Sequence, residues 1–127
     1  MYLISSFCWI LVYIGLSSTE FVSTSKEDKY FASKEAVTWE DAKRTCVQAG
    51  YELVSVQSFK EKDRLETFLD DNNLTPKDPY SGYWLAGVRH SNGSFYWDTV
   101  NTLLDRDLEG WNDLACTDLR RYLCQKK

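Results

Sequence analysis

The apolar positions change their spacing several times along the chain, and each change predicts an element. Leu3 to Leu16, LISSFCWILVYIGL, is an uncharged apolar run followed by the small residues Ser17, Ser18 and Thr19. That pattern predicts a secretory leader over residues 1–19, although no Lys or Arg precedes it. The run is shorter than the roughly 18–20 residues a membrane-spanning helix needs. After it, KYFA (29–32) reads as a short opening strand. TWEDAKRTCVQAG (38–50) switches to helical spacing, with Ala42, Cys46 and Ala49 on one face, Thr38 placed to cap the start and Gly50 to close the end.

ELVSV (52–56) predicts a buried strand. SFKEKDRLETFLDDNN (58–73) predicts a second helix, opened by the capping box Ser58 and Glu61 and carrying Leu65, Phe68 and Leu69 on one face. YWLAGV (83–88) and SFYWDT (94–99) read as two strands joined through Asn92-Gly93, a strong hairpin signal. RRYLCQ (120–125) predicts a last strand, with Arg120 and Arg121 as its solvent-side flank. Two helices followed by short strands, with chain ends that return to each other, predict an α+β domain.

Composition narrows the class. At 127 residues, with 43% hydrophobic and 15% aromatic side chains, the chain holds one domain whose core large rings must fill. The net charge of −4 argues against a nucleic-acid partner, which would call for a basic patch. Export places the cysteines in an oxidising compartment. Cys8 leaves with the leader, so Cys46, Cys116 and Cys124 remain, an odd number. A Cys46–Cys124 bridge would tie the first helix to the last strand and contribute on the order of 4 kcal/mol. Cys116 is then unpaired and buried, or joins two copies as a disulfide-linked homodimer. Pairing Cys116 with Cys124 instead would strand Cys46 on its helix.

Asn73-Leu74-Thr75 and Asn92-Gly93-Ser94 are N-glycosylation acceptors in an exported chain. His90 is the only histidine and has no Cys or His at ligand spacing, which argues against zinc. No serine has the context of an activated nucleophile, so the chain does not read as an enzyme.

The ordered set Trp39, Ala42, Cys46, Gly50, LVSV, YWLAG, FYW, WND with a Cys three residues on, and a terminal YLC resembles the C-type lectin-like domain. The match covers residues 28–127 and is most similar to short secreted single-domain lectins of invertebrates. The resemblance implies two helices packed on small antiparallel β-sheets, with the N- and C-terminal parts tied by a disulfide. It also implies a long loop that holds calcium and sugar, in which Asn112 and Asp113 are metal and carbohydrate ligands. The family's proline-containing ligand triplet, its loop tryptophan and the usual cysteine partner of Cys116 are missing here. The chain reads as though a block were removed between Leu104 and Leu108. Asn112 and Asp113 supply about three oxygens of the six to eight that calcium takes, and Asp105, Asp107 and Glu109 are the only acids just upstream. The expected function is therefore extracellular glycan recognition by a secreted protein with a vestigial calcium site and no other cofactor. The alternative is a calcium-independent module that binds an extracellular protein.

Overall fold

The computed structural model describes residues 2–5, 21–22, 29–78, 81–105, 107–108 and 110–127. Two helices and nine strands are built from them: β1 (Tyr2–Ser5), β2 (Phe21–Val22), β3 (Tyr30–Ser33), α1 (Trp39–Gln48), β4 (Glu52–Leu53), α2 (Phe59–Asp71), β5 (Trp84–Arg89), β6 (Phe95–Trp97), β7 (Thr102–Leu103), β8 (Trp111–Leu114) and β9 (Leu123–Gln125).

Both helices start and stop where their side chains satisfy the end groups. Thr38 Oγ1 accepts the Asp41 N–H at 3.3 Å. At the other end Gly50, at φ +84°, lets the Gly50 N–H reach the Val47 carbonyl (3.0 Å) and the Tyr51 N–H reach the Cys46 carbonyl (2.9 Å). This is a Schellman stop, and its left-handed residue favours glycine. In α2, Ser58 Oγ accepts the Glu61 N–H at 3.1 Å. Glu61 reaches back to the Gln57 N–H at 2.7 Å, one residue earlier than a standard capping box requires.

The strands form two sheets, in the orders β7-β6-β5-β1-β8 and β2-β3-β9-β4. The second is antiparallel throughout, with β9 between β3 and β4, so Cys124 lies opposite both Phe31 and Leu53. Its sulfur bonds Cys46 of α1, across a Cα–Cα distance of 5.6 Å and a sequence separation of 78. The bridge therefore pins the helix to the strand whose neighbours come from the N-terminal half, as expected for an α+β lectin-like fold.

The first sheet is mixed rather than wholly antiparallel. β5, β6 and β7 pair antiparallel, whereas β1 is parallel to both β5 and β8. Parallel neighbours need a long crossover, and most of the chain lies between β1 and β8. The leader expected over residues 1–19 falls mostly outside the described residues, but the backbone of Tyr2–Ser5 within it is a sheet strand. The buried strand expected over 52–56 shortens to Glu52–Leu53. Val54 and Val56 nevertheless stay fully buried, and the Val54 N–H still reaches the Leu123 carbonyl at 3.1 Å.

The core lies between the helices and the two sheets. It gathers Trp39, Ala42 and Cys46 of α1, Leu65, Phe68 and Leu69 of α2, Trp84–Ala86 of β5, Trp97, and Leu123 and Cys124 of β9. Two tryptophans lock its layers together. Trp39 Nε1 donates to the Leu85 carbonyl (2.8 Å) and Trp84 Nε1 to the Val37 carbonyl (3.0 Å). Each ring fills core volume while its one polar atom finds a backbone acceptor.

Cys116 is disulfide-bonded, and no free cysteine occurs among the described residues. The expectation of an unpaired Cys116 is thereby corrected. The odd count arose from setting Cys8 aside with the leader; the full chain has four cysteines. Cys8 lies outside the described residues.

Candidate functional site

The residues that the resemblance marks for ligand binding stand on β8. Trp111 is half-buried and packs edge-on against buried Trp97, with ring centroids 5.3 Å apart at 82°. Asn112 is half-buried beside it, and Asp113 is exposed. Their backbone is paired with β1, Asn112 opposite Leu3 and Asp113 opposite Ile4. Trp111 thus props the strand against the core while Asp113 faces solvent.

The Asp113 carboxylate has a cationic neighbour that the sequence reading did not identify. Arg89, the last residue of β5, places Nη1 3.9 Å from Asp113 Oδ2, with the two side chains 45% and 40% exposed. A pair this open to solvent contributes roughly 0–1 kcal/mol, so its importance is positional. A fixed positive charge stands beside the carboxylate that a calcium ion would otherwise use. The one available signal was a lone basic residue ending an apolar strand just before the hairpin turn.

Of the upstream acids, Asp105 and Asp107 bond each other's segment. Asp105 Oδ1 accepts the N–H of Asp107 at 2.9 Å, a local turn that occupies its side chain, and both residues are exposed. Glu109 lies outside the described residues. Among the described residues, no three His, Cys, Asp or Glu side chains converge where a metal ion could sit. Asn112 and Asp113 by themselves bring about three of the six to eight oxygens that calcium takes.

The other marked residues are dispersed. Asn92 and Gly93, at φ +86°, form the β5–β6 turn, where Asn92 Oδ1 accepts the Ser94 N–H at 3.0 Å and leaves Nδ2 at the surface. Asn73, at φ +56°, is exposed just after α2. His90 stacks against Tyr96, with centroids 4.4 Å apart. The Arg120-Arg121 pair divides its work. Arg120 Nη1 donates to the Leu119 carbonyl at 2.7 Å, whereas Arg121 Nε reaches the Ser33 carbonyl at 2.7 Å and its guanidinium lies over the Tyr83 ring. Burial pushes the Tyr83 hydroxyl above its usual pKa of 10.0, and Arg121 opposes that shift.

A family model, the lectin C-type domain, matches residues 35–109 and so ends just before Trp111. The chain is 33% identical to L-selectin of Mus musculus over 82 residues, which are 65% of this chain and 20% of the selectin. It is 28% identical to CD209 antigen-like protein D of Mus musculus over 116 residues, covering 76% of this chain and 47% of that protein. The chain thus spans less than half the length of either relative. Among solved structures it resembles human lithostathine, with a TM-score of 0.62 at 16% identity over 81% of this chain and 95% of that one. The C-type lectin domain of murine dendritic cell inhibitory receptor 2, solved in complex with an N-glycan, gives a TM-score of 0.59 at 18% identity, covering 77% and 89% of the two chains. The paired helices, the two small sheets, the Cys46–Cys124 bridge and the family match lead to one conclusion: this chain belongs to the C-type lectin domain family.

Proposed function

We propose that the protein is a secreted, extracellular glycan-recognition protein that works without calcium. The observation that carries the reading is the Arg89–Asp113 pair. With a guanidinium beside the carboxylate, recognition at β8 proceeds by direct hydrogen bonds from Asn112, Asp113 and Arg89 to sugar hydroxyls. Arg89 supplies donors, Asp113 supplies acceptors and Asn112 supplies both, which suits a polyol. Export rests on the Leu3–Leu16 pattern, and Asn73 and Asn92, both exposed, are the glycan attachment points. Removing residues 1–19 takes β1 from between β5 and β8 and leaves β8 without its strand neighbour, so in the exported protein the Arg89–Asp113 pair requires β5 and β8 to keep their places without it. No helix among the described residues is long and apolar enough to cross a membrane.

A second reading, a module that binds an extracellular protein, is favoured by one surface. Phe59 and Leu103 are 62% and 64% exposed, on segments joined by the Thr102–Gln57 hydrogen bond. Large apolar side chains left open on adjoining segments suit a protein contact.

The test is a melting curve of exported protein in calcium and then in excess chelator, followed by glycan-array binding in both buffers. Glycan binding that survives chelation, with an unchanged melting temperature, is expected. A ligand at a hundredfold excess over its Kd adds about 2.7 kcal/mol, roughly 10 °C or more for a domain of this size. A reversible calcium-dependent rise of that order would overturn the calcium-free mechanism. An array without any glycan binding would shift the reading to the protein-binding module.

A further inference from the structure

A polar recess of about 310 Å³ lies behind the C-terminal end of α2, lined by Asn73, Thr75, Lys77, Asp78, Ser81 and Arg121, with Tyr83 as its wall. It is remote from β8. Tyr83 precedes one end of β5 and Arg89 ends the other, so the recess and Asp113 are separated by roughly 20 Å of extended chain. We propose that this recess is a second saccharide subsite, selective for a sugar ring that carries a sulfate or a carboxylate. The inference rests on the glycan-recognition reading but uses none of the residues on β8.

Size and lining come first. The volume is at the lower end of the ~300–1,000 Å³ range of small-molecule pockets, which suits one sugar ring. The lining offers the hydroxyl oxygens of Thr75 and Ser81, which can accept from sugar hydroxyls.

Charge supplies the selectivity. Arg121 and Lys77 line the recess against a single carboxylate, Asp78, and neither cation forms an ion pair with a described acid. Arg121 is also held in position. Its Nε donates to the Ser33 carbonyl at 2.7 Å and its guanidinium carbon lies 5.4 Å from the Tyr83 ring centre. Those two contacts fix the plane of the guanidinium, and no described hydrogen bond occupies Nη1 or Nη2. A planar fork fixed in this way is the side chain best suited to paired bonds with a carboxylate or sulfate.

The walls are fixed as well. Tyr83 Oη donates to the Leu74 carbonyl at 2.6 Å, and Ser81 Oγ donates to the Asp78 carbonyl at 3.1 Å. The Thr75 hydroxyl bonds the Asp70 carboxylate. The end of α2, whose open carbonyls would repel an anion, is closed by three bonds. Asn72 Nδ2 donates to Phe68 (2.7 Å), the Asn73 N–H to Asp70 (3.2 Å) and the Leu74 N–H to Leu69 (2.8 Å). Asn73 is also an N-glycosylation acceptor at the rim, so a glycan attached there would stand over the mouth.

The experiment titrates the exported protein, and its Asn73→Gln form, with glucose 6-sulfate, glucuronate, glucose and sodium sulfate at constant ionic strength, following the Tyr83 and Arg121 resonances by NMR. Glucose 6-sulfate or glucuronate is expected to bind at least tenfold more tightly than glucose or sulfate ion. Arg121→Gln should weaken that binding at least tenfold. Lys77→Gln, at an exposed position, should weaken it several-fold without moving the melting temperature, which covers the case in which Arg121→Gln disturbs the fold. Lys60→Gln, an exposed cation on α2, should change nothing. Equal affinity for glucose would overturn the charge selectivity, and equal affinity for sulfate ion would reduce the recess to an anion site and overturn the saccharide claim. Absence of binding by all four probes overturns the subsite, and the glycan array decides separately whether glycan recognition survives.

Discussion

Replacing both Cys46 and Cys124 by alanine tests how much of the fold's stability resides in the tie between α1 and β9. The bridge closes a loop with a sequence separation of 78, across a Cα–Cα distance of 5.6 Å. On chain-entropy grounds a loop of that length constrains the unfolded chain by about 4–5 kcal/mol. Both residues are fully buried, so neither alanine adds a polar group to the core. For a domain near a hundred residues each kcal/mol corresponds to about 4–8 °C, so the double variant should melt roughly 20 °C or more below the parent. Substitution is the right perturbation because a reductant would also open the Cys116 disulfide. Thermal and urea unfolding, each followed by circular dichroism, supply the measurement. A melting point within about 5 °C of the parent would refute the reasoning and move the source of stability to core packing.

Three further outcomes follow from individual groups. Ser33 is fully buried and its Oγ accepts the Tyr122 N–H at 2.9 Å, so Ser33→Ala orphans a buried donor and should cost about 1–3 kcal/mol in urea unfolding. Burial pushes Tyr30 up to about 12 from 10.0, with nearby Arg64 opposing and Glu61 assisting. The fold thus retains that proton longer than the unfolded chain does, so the associated stability is complete below pH 10 and falls away between about pH 10 and 12. Tyr30 Oη has no hydrogen-bond partner among the described residues, so Tyr30→Phe should flatten this alkaline limb with no loss of stability at pH 7, read by unfolding across the pH range. In exported protein lacking residues 1–19, the Trp111–Leu114 amides should exchange with deuterium faster than those of β5 and β6, because β1 supplied their strand partner. Equal protection would show that β8 has found another neighbour.

The family, both helices and the hairpin were legible because their causes are local. Thr38, Gly50, Ser58 and Asn92-Gly93 each set a cap or turn within a few residues of themselves, and helical spacing alone identified Ala42, Cys46, Leu65, Phe68 and Leu69 as core, whereas Ala49, placed on the same face, is exposed at the end of α1. The Cys46–Cys124 pairing followed from a topology in which the chain ends return to each other.

What stayed hidden depended on neighbours far apart in the chain. Nothing near Asp113 announces Arg89, which approaches it because β5 and β8 flank β1 in one sheet. Arg121, read as a solvent-side flank, became the wall of a recess because Tyr83 and Ser33 come together beneath it. The apolar pattern of the first residues gave no sign that Tyr2–Ser5 pairs with both β5 and β8 as a strand. Sequence determines what each segment can form, through backbone preference and periodicity. Which charges meet, and so which ligand chemistry is available, is decided only when strands distant in sequence pack side by side.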